Sequence, residues 1–127
     1  MFGGPYQAGA KRKRVAFSVF TTPQLAHIGL REKEAVEKGY SIKVAKLSAG
    51  AVPKARILNN TNGLLKTVID SNTNKILGCT LFCAEANEMI NTIQTAINAG
   101  LDYQAVRDTI YTHPSMTEAF NDLYSQV

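Results

Sequence analysis

The sequence predicts an α+β domain in which helices pack on one face of a mostly antiparallel sheet. Short runs of β-branched and apolar residues, separated by turn residues, fill the chain as far as Cys83. From Ala86 onward, apolar residues recur at helical spacing instead. Strands that follow one another pair as hairpins, and helices clustered after them cover the sheet. The length of 127 residues and the hydrophobic content of 45% suit a single core.

The first predicted elements are two strands with a short helix between them. Residues 15–20 and residues 40–47 have the composition and alternation of strands. Residues 31–38 are predicted to form a helix that Gly39 closes at its C′ position. The arginine at its start is not one of the usual capping residues. Residues 48–62 are predicted to be a connection that ends in a turn.

A hairpin follows, and it carries both cysteines. Residues 64–70 and 75–83 are predicted to be its strands, joined by the turn at residues 71–74. In a strand, the α-carbons of Cys79 and Cys83 lie about 13 Å apart, beyond the roughly 7 Å limit for a disulfide. We therefore expect two small, buried, unpaired thiols.

Helices make up the C-terminal part of the chain. The first is indicated by apolar residues with helical spacing before Gly100, namely Ala86, Met89, Ile90, Ile93 and Ile97. Asp102 is predicted to cap a second helix, on which Tyr103, Val106 and Ile110 share one face. The last helix is predicted to run from about Ser115 to Tyr124.

The run from His113 to Glu118 is the strongest candidate site. In one continuous helix, five residues rotate a side chain by about 500°, which places the two residues on different faces. Pro114 disfavours helical geometry at His113 and suits the first turn of a helix that starts after it. The Glu118 carboxylate can then turn back and hold one imidazole nitrogen. A histidine held in this way is a proton carrier with a fixed tautomer. The alternative is an ordinary surface histidine in a loop between two helices.

Four further runs accompany His113-Pro114-Ser115-Met116-Thr117-Glu118 in order along the chain. They are Val19 to Leu30, Gly63-Leu64-Leu65-Lys66 with Asp70, Ile76-Leu77-Gly78, and Ala86-Asn87-Glu88-Met89-Ile90. Together the five runs resemble the last domain of the flavin-dependent pyridine nucleotide–disulfide oxidoreductases, the family of glutathione reductase and lipoamide dehydrogenase. Pro53-Lys54-Ala55-Arg56 and Asn121-Asp122-Leu123 are similar to the bacterial branch linked to reactive-chlorine and hypothiocyanous acid resistance.

The resemblance implies a dimerisation domain at residues 15–127, with residues 1–14 as a linker from a flavin domain. It implies a homodimer in which His113 is the acid/base residue in the partner subunit's active site and Glu118 orients it. The full-length enzyme would use FAD and NAD(P)H on a small-molecule or disulfide substrate. This sequence has neither a G-x-G-x-x-G loop after a strand nor a C-x4-C pair. The chain alone is therefore predicted to bind neither cofactor and to be inactive.

Other functional classes are less well supported. Lys11-Arg12-Lys13-Arg14 supplies the whole net charge of +4, which indicates a solvated linker and not a nucleic-acid surface. Two Cys and two His do not provide a zinc ligand set, and His27 is predicted to lie on the surface. No apolar stretch reaches membrane length and no leader is visible, so we expect a cytoplasmic protein. The alternatives are a stand-alone α+β homodimeric interaction module without catalysis, and a small nucleic-acid binder using residues 11–14. The sequence identifies neither the substrate nor the choice between NADH and NADPH.

Overall fold

The structure, a computed structural model, describes residues 15–127, and the linker predicted for residues 1–14 lies outside them. Its centre is a five-stranded antiparallel sheet. The strands are β1 (Phe17–Val19), β2 (Leu25–Gly29), β3 (Ile42–Ser48), β4 (Leu64–Asp70) and β5 (Ile76–Phe82). Their order across the sheet is β1-β2-β5-β4-β3. The β4–β5 hairpin matches the sequence prediction closely.

Within residues 15–127, five helices accompany the sheet. They are α1 (Glu32–Glu37), α2 (Pro53–Ile57), α3 (Ala86–Asn98), α4 (Tyr103–Asp108) and α5 (Ala119–Tyr124), with a 3₁₀ turn at Ala49–Ala51. Helix α3 lies against β2 and β5, α5 lies against β3 and β4, and α4 packs on α5. The main core fills the space between these helices and one face of the sheet. The predicted α+β fold class is confirmed.

A smaller apolar cluster lies on the opposite face of the sheet. Ala35 of α1 packs there against Val68 of β4 and Leu77 of β5. Side chains alternate along a strand, and the residues next to this pair, Ile69 and Ile76, point into the main core. Helix α1 therefore covers one end of the face that the other helices leave open.

Two of the elements, β2 and α2, were not predicted from the sequence. Strand β2 falls between Pro23 and Gly29 and occupies an inner position between β1 and β5. Helix α2 falls within the stretch predicted to be a connection, with Pro53 at its first position and Ala55 buried. Both elements contain five residues, which is too short for apolar periodicity to distinguish them from a loop.

The prediction for the second C-terminal helix was correct at its start and wrong at its end. The Asp102 side chain caps α4 by accepting a hydrogen bond from the Ala105 amide at 3.3 Å. The helix stops at Asp108, and Thr109 is extended, so Ile110 lies outside the helix and is 97% exposed. It does not join Tyr103 and Val106 in the core.

The cysteines are unpaired and buried, as predicted. Burial raises the pKa of both Cys79 and Cys83 to about 12, since a thiolate is poorly solvated there. Both sulfurs are therefore protonated and unreactive near neutral pH. Within residues 15–127, no helix is long and apolar enough to cross a membrane.

Candidate functional site

His113 and Glu118 form a close pair at the surface. The His113 Nδ1 atom lies 2.9 Å from both carboxylate oxygens of Glu118. A carboxylate only accepts hydrogen bonds, so Nδ1 carries the proton and Nε2 is the free nitrogen of the neutral ring. Nε2 makes no hydrogen bond to any of residues 15–127, and the His113 side chain is 68% exposed. The contact expected from the sequence is present, while the catalytic roles of the two residues remain a prediction.

The carboxylate of Glu118 is fixed by a second residue, Ser115. The Ser115 amide donates to Oε2 of Glu118 at 2.8 Å, and the Glu118 amide donates back to Ser115 Oγ at 3.2 Å. The bond from His113 and then the one from the Ser115 amide hold the pKa of Glu118 below its ordinary value. Glu118 is therefore a carboxylate at neutral pH and remains an acceptor for the imidazole.

The contact between Ser115 and Glu118 was missed in the sequence analysis. A Ser followed three residues later by Glu is the pattern of a capping box at a helix start. The two reciprocal bonds between Ser115 and Glu118 are those of a capping box, and they lie in the turn directly before α5. The signal was available in the sequence, although the expected helix start at Ser115 obscured it.

The loop that presents His113 is tied to the helices on both sides. Asn121 of α5 donates from Nδ2 to the carbonyl oxygens of Arg107 and Thr109, each at 2.8 Å. The Tyr111 hydroxyl donates to the Val106 carbonyl oxygen at 2.7 Å. The His113–Pro114 peptide bond is cis. These contacts place the imidazole on a defined segment, although its ring is exposed.

Buried residues of α5 hold the site against the sheet. Phe120, Leu123 and Tyr124 are fully buried, and the Tyr124 hydroxyl accepts a hydrogen bond from Thr67 of β4 at 2.9 Å. Burial raises the pKa of Tyr124 well above its ordinary value, so this hydroxyl stays neutral. The backbone that carries Glu118 therefore continues directly into the main core.

His27 was predicted to lie on the surface, and this prediction was wrong. Its ring is buried between β1 and β5, because β2 is an inner strand. Nε2 donates to the Gly29 carbonyl oxygen at 2.8 Å, and Nδ1 accepts from the Thr80 hydroxyl at 2.7 Å. A neutral ring satisfies both partners. Burial, and secondarily the nearby Arg31, lowers the pKa of His27, although the Gly29 bond and Glu34 oppose this.

The lowered pKa of His27 predicts a loss of stability in mild acid. The folded-state pKa lies below the ordinary value of 6.5, so the unfolded chain binds the proton first as pH falls. The stabilisation that neutral His27 contributes to the free energy of unfolding is complete above pH 6.5 and decreases as the pH falls below it. Urea unfolding at pH about 7.5 and about 5.5 should show a larger loss for the wild-type chain than for His27→Gln. Equal losses would show that His27 does not contribute to the pH dependence.

The comparison with known families concerns the whole described domain. Residues 15–124 match the family described as the pyridine nucleotide-disulphide oxidoreductase dimerisation domain. The chain belongs to this family. The dimerisation domain is also similar to part of RclA, a probable pyridine nucleotide-disulfide oxidoreductase of Escherichia coli K12. Identity is 47% over 116 residues, which cover 91% of this chain and 26% of RclA.

A solved structure and a more distant relative agree with this assignment. The structure of the HOCl-induced flavoprotein disulfide reductase RclA from Escherichia coli superposes with a TM-score of 0.91 at 46% identity, covering 93% of this chain and 27% of that one. Mercuric reductase of Bacillus cereus is 36% identical over 99 residues, which cover 78% of this chain and 16% of that protein. The chain thus spans about a quarter of the length of RclA. The resemblance to the family and to its reactive-chlorine branch is confirmed.

Proposed function

We propose that this chain is the dimerisation domain of an FAD-dependent, NAD(P)H-linked disulfide reductase and supplies His113 to the partner subunit's active site. The observation that carries the proposal is the His113–Glu118 pair. The Nδ1 atom of His113 lies 2.9 Å from Oε1 of Glu118, while the exposed ring leaves Nε2 open to another molecule. The name of the relative RclA, a flavoprotein disulfide reductase, supports the reaction class. In this proposal His113 is the acid/base residue and Glu118 orients its ring.

The proposed role is the transfer of one proton at Nε2. Neutral His113 accepts a proton from a thiol, and the thiolate formed attacks a disulfide or another oxidised sulfur. The bond to the leaving sulfur breaks, and the imidazolium returns the proton to it. Glu118 keeps the same nitrogen facing the sulfur in both steps, because its carboxylate stays on Nδ1.

FAD and NAD(P)H would be bound elsewhere in the enzyme. The sequence of this chain has no glycine-rich loop after a strand of the kind that holds a dinucleotide pyrophosphate. When bound by the remainder of the reductase, the flavin would supply the electron transfer between the nicotinamide and a redox-active disulfide, which is thereby reduced to a dithiol. This chain's own contribution is the proton exchange at His113 and the assembly of the dimer.

An exposed apolar residue near His113 supports contact with a partner. Ile110 lies three residues before His113 and is 97% exposed, and Leu101 in the α3–α4 connection is 44% exposed. Exposed apolar side chains of this size favour burial in an interface, and a twofold dimer uses the same surface of both subunits. A partner that covers Ile110 would also receive the imidazole of His113.

The proposed assembly predicts a dimer that depends on Ile110. Light scattering at micromolar concentration should show a dimer. Ile110→Asp should raise its dissociation constant by about 10-fold or more, since a charge would replace an apolar contact that the proposed dimer buries. The control is Val36→Asp on α1, where the native side chain is also exposed, at 57%. A monomer at all concentrations, or equal weakening by both variants, would contradict this surface as the interface.

A further inference from the structure

We infer that Ser115 is the positioning residue of the His113–Glu118 pair, acting through both its hydroxyl and its amide. The catalytic consequence rests on the proposed function of His113, whereas the geometric role does not. Before His113, Ser115 contacts the backbone carbonyl of Thr112. After His113, it contacts both the backbone amide and the carboxylate of Glu118. It is the residue through which the imidazole and its carboxylate partner are held at a fixed separation.

The hydroxyl joins the two ends of the site. Ser115 Oγ donates to the Thr112 carbonyl oxygen at 2.6 Å and accepts from the Glu118 amide at 3.2 Å. Thr112 directly precedes His113, so a single oxygen atom links the backbone that presents the imidazole to the backbone that presents the carboxylate. Loss of this atom removes both links at once, and the bonds of Asn121 and Tyr111 that remain hold the loop only before Thr112.

The amide sets the rotation of the carboxylate. Oε2 of Glu118 receives the Ser115 amide at 2.8 Å and also lies 2.9 Å from Nδ1 of His113. A carboxylate held at one oxygen by a backbone donor has little freedom to turn toward water. The second oxygen, Oε1, is thereby kept at 2.9 Å from the same nitrogen. Both oxygens then fix the proton of the ring on Nδ1.

A simpler role for Ser115 is to cap α5 and stabilise it. Such a cap requires only that the hydroxyl accept from the Glu118 amide. The donation to Thr112 lies outside that role, because Thr112 is not part of the helix. Helix α5 is also held by buried Phe120, Leu123 and Tyr124, so its formation does not depend on the cap alone. The contact with Thr112 favours positioning of His113 as the role of the hydroxyl.

The geometric role is tested by the ring tautomer of His113 in this 127-residue chain. Nitrogen-15 NMR of the neutral ring should show the Nδ1–H form as the majority in the wild type. Ser115→Ala should shift the population toward the Nε2–H form, and Ser115→Thr, which keeps the hydroxyl, should restore it. The matched control is Ser125→Ala, which also removes a serine hydroxyl bonded to a backbone carbonyl at 2.6 Å but at the other end of α5. An unchanged tautomer population in Ser115→Ala would overturn the inference.

The catalytic consequence is tested in the intact reductase that contains this domain. Ser115→Ala should slow the half-reaction between dithiol and oxidised substrate about 5- to 10-fold, less than loss of the imidazole itself, because the ring remains but is oriented less precisely. In a His113→Gln background it should cause no further slowing, because its effect passes through the ring. Equal slowing in both backgrounds would overturn the positioning role in catalysis. If Ser115→Ala shifts the tautomer but His113→Gln does not slow the reaction, the proposed function is overturned. Ser115 would then still be the residue that orients the ring.

Discussion

Replacing His113 with glutamine is expected to slow the oxidative half-reaction of the intact reductase by about 10²–10⁴-fold, the range typical of a lost acid/base group. Glutamine keeps a polar side chain but does not exchange a proton near neutral pH. The His113 side chain is 68% exposed, so its replacement leaves the core intact. Glu118→Gln should have a smaller effect, because the imidazole remains and only its orientation is lost.

The two half-reactions provide an internal control for this prediction. Flavin reduction by NAD(P)H should change much less than reoxidation by substrate, since hydride transfer does not require this proton carrier. Stopped-flow absorbance separates the two steps in each variant. If His113→Gln leaves the oxidative half-reaction unchanged while the dimer is intact, the pair with Glu118 is a structural contact of this loop.

Replacing Gly63 with alanine is expected to lower the free energy of unfolding by about 3–5 kcal/mol, combining backbone strain with steric overlap. Gly63 has a φ of +123°, a conformation that side-chain-bearing residues rarely adopt. An added Cβ would lie 1.8 Å from the Phe82 carbonyl oxygen, which belongs to the backbone at the end of β5. Neither the strand nor its partner can move without loss of the β4–β5 pairing that begins at Leu64 and Phe82.

Gly39→Ala separates the two causes. Gly39 also has a positive φ, of +91°, but within residues 15–127 an added Cβ would meet no atom within 4 Å beyond its immediate chain neighbours. The free energy of unfolding of this variant should fall by only about 1–2 kcal/mol, the cost of the left-handed backbone alone. Urea unfolding followed by circular dichroism measures both values. Similar losses for Gly63→Ala and Gly39→Ala would mean that the close approach of Gly63 to β5 does not constrain the hairpin.

The sequence predicted those parts of the fold that local chemistry determines. The β4–β5 hairpin has apolar strands of seven residues around a turn of small polar residues. The strand composition and the turn residues therefore both predict a hairpin. Helix α3 has 13 residues and a continuous apolar stripe, which is long enough for its period to be clear. Pro114 separates His113 from the closing helix, and this break in the helix predicts the contact with Glu118 from the sequence alone.

Features that depend on distant parts of the chain could not be predicted in the same way. The burial of His27 results from the position of β2 between β1 and β5, which local sequence does not specify. Ile110 has the helical spacing of a core residue, yet the helix ends before it because Thr109 is extended. The contact between Ser115 and Thr112 depends on the turn of the loop around His113. In each case tertiary placement overrides the local pattern.

The central claim, that His113 serves the partner's active site, is tested most directly by a mixed dimer of the intact reductase. One subunit carries His113→Gln with its redox dithiol intact, and the other keeps His113 but has the dithiol, which lies outside this chain, replaced by serines. Each parent dimer lacks one essential group. If His113 acts across the interface, the purified mixed dimer contains one complete site and should show about half of the wild-type activity. A mixed dimer that assembles normally but is no more active than its parents would contradict the account.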